Sequence, residues 1–318
     1  MTFDSTVLPP CRILAGFSLL SAWVAWSRYL ERVATRPQKW GYDQVDGAVI
    51  AFADGLRGAF SLIGVTTWAQ ARSDESCLSP EQRLYVAHPH GCFTLAIYLN
   101  FVDESRRLEF FTGMASVLFK VPVIREFMLI ANGRPAIQRM LDTLMKSGKS
   151  VVLMPGGISE QLATDHSRER AFFPPKLGFV RLAIKHGVPM VPVYSFGENQ
   201  LYRIPEWSRR ASTWLRAATG AGIPFPIGRF GLPFVPKATH IKIYVGKAVQ
   251  VGPADSDPSE AHVHAVFGAY CVELRRLFNE HKDDALPADV AARGLELIWR
   301  GRSIDAQPPD EHISTSKL

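Results

Sequence analysis

Apolar positions along the chain fall into two kinds of pattern, short continuous runs and longer periodic stretches, and the two alternate. Residues 84–87, 151–154 and 188–196 are near-continuous apolar runs bounded by turn residues, the pattern of strands buried on both faces. Strands are also expected near Leu108 and His240. Between the runs, residues recur at helical spacing. Ile137, Met140, Leu141 and Leu144 share one face of a helix over residues 135–146. Phe179, Val180, Ala183 and Ile184 do the same ahead of Gly187, with Lys176, Arg181 and Lys185 on the polar side. Residues 261–282 carry Val263, Phe267, Tyr270, Cys271, Leu274 and Phe278 at spacings of three and four, which predicts a longer amphipathic helix. His262 and His264 on it point to different faces and are read as solvent-exposed. The alternation predicts an α/β fold with a mostly parallel sheet flanked by helices.

Three of these strands end in polar residues. Residues 84–87 run into His88-Pro89-His90-Gly91, residues 151–154 into Pro155-Gly156-Gly157 and then Glu160, and residues 188–196 into Gly197-Glu198-Asn199. Carboxyl ends of parallel strands open onto one crevice, so the three should meet at one rim. A carboxylate near a histidine can fix its tautomer and favour its protonated form, and a glycine after the second histidine lets backbone approach a ligand. Plainer readings stand beside this one: a structural histidine pair, and a turn glutamate in water. A metal site would need a third ligand, and none stands at a telling spacing from His88 and His90.

The HPHG tetrapeptide, the PGG turn with Glu160, GFVRLAIKHG at residues 178–187 and VPVYSFGENQLY at residues 191–202 together resemble the diacylglycerol acyltransferase 2 family. The likeness runs from about Leu84 to about Lys282 and includes VPVIREF at residues 121–127; it is weak before Leu84 and absent after Lys282. It implies a glycerolipid-acyltransferase-like, membrane-associated enzyme of the endoplasmic reticulum or lipid droplet. Such an enzyme moves an acyl chain from acyl-CoA to a lipid hydroxyl without a cofactor. Diacylglycerol is the foremost acceptor, with monoacylglycerol or a long-chain alcohol as alternatives. The resemblance makes His90 the catalytic histidine and Glu160 its partner. His88, Pro89, Gly91, Gly156 and Gly157 shape the motifs, and Glu198 and Asn199 are placed at the rim. Glycerol-phosphate acyltransferases carry an aspartate four residues after the histidine, whereas here Cys92 follows His88 and Thr94 follows His90. The orienting role then falls to Glu160. In the expected reaction the acceptor hydroxyl gives its proton to His90 while its oxygen attacks the thioester. Backbone N–H groups of Gly91 and Cys92, or of the Gly156-Gly157 turn, meet the oxyanion. Two other classes stay open: a hydrolase or thioesterase with Cys92 as nucleophile, and a lipid-binding protein without chemistry.

A formal charge of +6 and a pI near 9.2 suit an anionic partner, but no nucleic-acid motif is present. Coenzyme A and a membrane surface fit better. Arg168, Arg170, Lys176, Arg181 and Lys185 follow the PGG turn and are candidates for CoA phosphates, with a solvated basic face as the alternative. Cys11, Cys77, Cys92 and Cys271 lie too far apart to indicate a zinc site or a disulfide framework. Residues 13–26 and 58–71 are uncharged stretches of 14 residues each, short of the ~20 a spanning helix needs. Trp23, Trp26, Tyr29, Trp40 and Trp68 cluster near their ends, the composition of a membrane interface. This divides the chain into a membrane-associating helical segment over residues 1–75, a catalytic domain over 76–284 and a polar tail over 285–318, disordered from about residue 301. Two core helices covering the sheet are the alternative for the first segment, and a signal peptide is disfavoured by the missing basic cluster. The chain ends in Ser316-Lys317-Leu318, a peroxisomal address where the cell is eukaryotic.

Overall fold

The computed structural model describes residues 21, 25, 54, 55, 57–70, 81–100, 110–121, 124–130, 132–219, 222 and 224–304. Its main sheet has seven strands: β1 (Thr66–Gln70), β2 (Leu84–His88), β3 (Phe110–Met114), β4 (Gly133–Pro135), β5 (Ser150–Leu153), β7 (Met190–Phe196) and β8 (His240–Val245). A second sheet joins β6 (Glu169–Phe173), β9 (Leu295–Trp299) and β10 (Arg302–Ser303). The spatial order of the main sheet is β1-β8-β7-β2-β5-β3-β4. Every pairing in it is parallel except that of β7 with β8, so the sheet is mixed.

The apolar run at residues 84–87 makes β2 the central strand, buried along its whole length. Its side chains alternate between two cores. Leu84 and Val86 pack with Phe111, Val151 and Leu153 beneath α3 (Gln138–Lys146), α5 (Gly178–His186) and α7 (Glu260–Ala285). Tyr85 and Ala87 face the opposite layer, with Val152, Val191 and Val193 against α1 (Leu95–Asn100). The same alternation puts His88 on the α7 side. Strand β2 is flanked by β5 on one side and β7 on the other, so the carboxyl ends of the three parallel strands, and the polar residues that follow them, lie side by side.

The helices have the expected causes. Helix α5 buries Phe179, Val180, Leu182, Ala183 and Ile184 and closes on Gly187, whose φ of 63° places it in the left-handed region. Helix α7 starts where Ser259 Oγ accepts the His262 N–H at 3.2 Å. Further helices are α2 (Ile124–Ile130), α4 (Gly157–Ala163), α6 (Glu206–Thr219) and α8 (Ala288–Arg293).

Three expectations change. Residues 58–71 are not one apolar helix: residues 57–62 are helical, and Thr66 begins β1, parallel to β8 from Thr66↔His240 to Gln70↔Tyr244. Two threonines and a tryptophan favour extended backbone, and the edge of β8 supplies its partners. The tail, expected to be disordered from about residue 301, joins the fold as far as Arg302–Ser303: α8, β9 and β10 follow residue 285, and Leu297 reaches the first core. His262 is half-buried, its Nε2 lying 3.1 Å from the Val251 carbonyl oxygen. Apart from Ser21 and Ala25, residues 13–26 lie outside the described residues, as do Tyr29, Trp40 and Ser316-Lys317-Leu318. Among the described residues no helix is long and apolar enough to cross a membrane.

Phe278 is fully buried where α7 crosses the sheet, its ring centroid 5.0 Å from that of Tyr194 and 5.4 Å from that of Phe196. Replacing it with alanine leaves a cavity that these rings cannot fill. Phe278→Ala is expected to lower unfolding free energy by about 3–5 kcal/mol in urea titrations; a loss below about 1 kcal/mol would mean this layer repacks freely.

Candidate active site

The site forms where β2 runs out. A cis peptide joins His88 to Pro89, and the chain turns through His90 and Gly91 into α1. The His88 ring is sealed inside, edge-on to Phe173 at 5.3 Å and tilted to Tyr270 at 6.5 Å. Its Nδ1 lies 3.4 Å from Glu160 Oε1, and its Nε2 meets no hydrogen-bond partner. His90 is only half-buried. Of the two imidazoles, His90 is therefore the one a substrate can reach.

The orientation of His90 differs from the expectation. Glu160 does not hold its ring: Glu160 Oε1 accepts the His90 main-chain N–H at 2.8 Å, and Oε2 accepts the Phe172 N–H at 3.2 Å. The ring instead turns its Nδ1 toward the Gly91 carbonyl oxygen at 3.2 Å and Thr94 Oγ1 at 3.4 Å. A carbonyl can only accept, so this contact puts the proton on Nδ1 and leaves Nε2 with its lone pair. Burial holds the His90 pKa below the usual 6.5, and the nearby Glu160 charge offsets only part of that. At neutral pH the ring is an uncharged base.

Gly156 and Gly157 do different jobs. A Cβ at Gly156 would stand 1.9 Å from Glu160 Oε2, so the carboxylate folds back over bare backbone there. Gly157 takes φ +48° with open space around it, and its N–H is held by the Met154 carbonyl at 3.1 Å. That bond takes the Gly157 donor out of the set expected to meet the oxyanion. The N–H groups of Gly91, Cys92 and Gly156 remain as candidates.

Glu198 and Asn199 are not at a solvent rim; both are buried. Glu198 caps α1, accepting the Leu95 N–H at 3.0 Å and the Ala96 N–H at 2.8 Å. It also packs directly on Gly91, where a Cβ would lie 2.3 Å from Glu198 Cγ. Burial raises its pKa to about 7 against the lowering effect of those N–H groups. Asn199 Nδ2 donates to Glu169 Oε2 at 2.8 Å.

Glu169 was not singled out from the sequence. It lies on the inward face of β6 with Ala171 and Phe173 and accepts from Tyr194 Oη, Asn199 and Gln200, each at 2.8 Å. Burial pushes its pKa up to about 7. The period-two alternation of Glu169, Ala171 and Phe173 was the available signal. Thr94 and Gln161, whose Nε2 donates to the Cys92 carbonyl at 2.7 Å, left no such mark.

The five cations do not converge. Arg168 is exposed, and Arg170 donates to the Ala163 carbonyl. Lys185 shares Asp142 with His186, each at 2.8 Å. Lys176 and Arg181 line a cavity of about 380 Å³ with Arg300 and His264, Arg181 being paired there with Glu260. Cys92 is buried in the second core, and burial drives its thiol well above the ordinary value. Among the described residues no cluster of histidine, cysteine or carboxylate side chains suits a metal ion.

Residues 72–291 match a family model described as diacylglycerol acyltransferase. The chain is 29% identical over 217 residues to diacylglycerol O-acyltransferase 2B of Umbelopsis ramanniana, which covers 62% of each protein. It is 32% identical to human 2-acylglycerol O-acyltransferase 3, covering 66% of this chain and 68% of that one. With human diacylglycerol O-acyltransferase 2 the identity is 27%, over 64% of this chain and 58% of the relative. The chain thus spans about three fifths to two thirds of the length of these relatives. No solved structure matches it.

Gly91→Ala adds a Cβ against Glu198 at a φ of +60°, whereas Gly148→Ala meets the same backbone cost, at φ +70°, in open space. The first is expected to lose at least about 1 kcal/mol more stability than the second in paired urea unfolding curves. Equal losses would mean that Glu198 does not pack on the turn.

Proposed function

The chain belongs to the diacylglycerol acyltransferase family, and on that premise we propose that it esterifies the hydroxyl of an acylglycerol with an acyl chain taken from acyl-CoA. His90 is the general base. The observation that carries this reading is the half-buried His90 ring, held as a neutral Nδ1–H tautomer by the Gly91 carbonyl while His88 is sealed in the core. The acceptor hydroxyl gives its proton to His90 Nε2 as its oxygen bonds to the thioester carbon. The N–H groups of Gly91 and Cys92 meet the resulting oxyanion. Collapse breaks the carbon–sulfur bond, and the departing thiolate takes the proton back from His90. No covalent enzyme intermediate is needed.

Diacylglycerol is the proposed acceptor, with monoacylglycerol second, since relatives bearing both names match the chain. Lys176 and Arg181 are the pair proposed for CoA phosphates, because they share a cavity with a third cation, Arg300. The enzyme is assigned to a membrane or lipid-droplet surface, with the segment before β1 as one attachment and residues 316–318 as an address to be tested. The cysteine-nucleophile reading is disfavoured by the Cys92 thiol, which burial keeps protonated.

The test is a membrane-fraction assay with labelled acyl-CoA and a panel of diacylglycerol, monoacylglycerol and long-chain alcohol. His90→Ala is expected to lose about 10²- to 10⁴-fold in turnover, and Cys92→Ala to retain most of it. Because burial lowers the His90 pKa, activity should persist as pH falls through 6.5 and fail only below it. Near-normal turnover in His90→Ala would remove it as the base. A thioester trapped on Cys92 would transfer the assignment to a hydrolase.

A further inference from the structure

Helix α6 is built inside out. A surface helix buries its apolar stripe, yet α6 turns Ser208 and Ser212 inward, while Trp207 and Trp214 stand 58% and 72% exposed. The buried serine is anchored, because Ser208 Oγ accepts the Phe225 N–H at 2.7 Å. Trp207 and Trp214 are seven residues apart and so share one outer face, with Arg210 between them. Aromatic rings interleaved with arginine are the composition of a membrane–water interface.

The loop that follows α6 extends this face. Phe225, Leu232 and Phe234 are exposed, and Phe230 is 83% exposed. Phe230 and Phe234 sit at φ 57° and 61°, a region that bulky residues enter at a cost. The loop is firmly held: the Arg229 N–H bonds the Val235 carbonyl at 2.8 Å, and the Gly228 N–H bonds the Leu232 carbonyl at 2.9 Å. Arg229 also donates to the Ile63 carbonyl at 2.6 Å, beside Leu62, itself 89% exposed. These side chains project from rigid backbone. Rings in sequence then lead inward: Trp207 to Phe225 at 5.7 Å, Phe225 to Phe234 at 4.9 Å, and Phe234 to Phe93 at 6.1 Å. Phe93 is three residues beyond His90.

Charge selects the occupant. Residues 202–237 hold Arg203, Arg209, Arg210, Arg216, Arg229 and Lys237 against the single carboxylate of Glu206; Arg209 turns inward onto the Leu162 and Thr164 carbonyls and Arg210 meets Glu206 at 3.1 Å, so the region keeps a clear excess of positive charge. We infer that the outer face of α6 and residues 225–234 dock on an anionic phospholipid surface, which brings that leaflet up to the turn bearing His90. The aromatic rings enter the headgroup region while the surrounding cations meet lipid phosphates. This deepens the proposed function and rests on it only for the cargo, an acylglycerol dissolved in that surface.

The experiment uses the full chain with vesicles of phosphatidylcholine and phosphatidylglycerol that contain a diazirine-bearing phospholipid. After irradiation, lipid cross-links are expected on peptides from residues 203–234, and their yield should fall as salt is added or phosphatidylglycerol is left out. The Trp207→Ser, Trp214→Ser, Phe230→Ser triple variant should lose about tenfold of that yield, since it removes the inserting rings. Arg210→Glu, which alters no aromatic residue, should weaken binding to phosphatidylglycerol vesicles. Cross-links confined to residues before 66, or a yield unchanged in the triple variant, would overturn the inference. So would a lipid-free dimer that the triple variant converts to monomer with vesicle binding intact, because the face would then be a self-association surface. Expected cross-links in a protein that acylates none of the acceptors would leave the docking standing and remove the acyltransferase reading.

Discussion

The Glu160 carboxylate is the interaction on which the His88–Gly91 turn depends. It is buried where β2 ends, and an unpaired charge there would cost on the order of several kcal/mol. Its contacts are therefore obligatory, and they reach three parts of the molecule: the His90 N–H, the Phe172 N–H in β6, and the His88 ring. One side chain thus ties the main sheet to the second sheet through the helix that carries it. The glycine at position 156 follows from this, since any Cβ would occupy the space of Oε2. In physical terms, the PGG sequence is the imprint of a carboxylate folded back on its own turn.

Glu198 acts on the other side of the same turn. By capping α1 and lying flat on Gly91 it fixes where the chain goes after His90, so the turn is held between two buried carboxylates. Neither is bonded to the ring of His90. A carboxylate directly on Nδ1 would hold the tautomer but would also pull the pKa up with a full charge. The Gly91 carbonyl holds the same tautomer with a dipole, and burial then keeps the ring neutral. The arrangement favours a base ready at neutral pH over one that must first lose a proton.

The sequence was most legible where local pattern and tertiary structure agree. The runs at residues 84–87, 151–154 and 188–196 became strands because continuous apolar runs between turn residues are stable only inside a sheet, and Gly187 ended α5 as its spacing required. The turns at their ends were legible as a site, but the donors of each carboxylate were not. Spacing places Glu160 past a strand end without saying whether it meets a ring or a backbone N–H. The second sheet was missed for a different reason: β6 and β9 are paired across more than a hundred residues, and each alone reads as loop or tail. Residues 66–70 were misread because a short apolar edge strand and part of a membrane helix share a composition, and only the distant partner β8 distinguishes them.

Dehydration connects the base to its surroundings. The pKa of His90 is lowered mainly by the loss of water around it, and the chain just beyond the ring is apolar: Cys92 packs in the second core and Phe93 lies edge-on to Tyr202 at 5.5 Å. A polar pocket would have kept the imidazole hydrated and nearer its ordinary value. A neutral ring at neutral pH is what the proposed general base needs, and apolar surroundings favour it. On the proposed mechanism, apolar surroundings also strengthen the attraction between a developing oxyanion and the backbone N–H groups of the turn, because fewer water dipoles screen it. On the same proposal, the apolar residues after HPHG serve the chemistry as well as the core in which they pack.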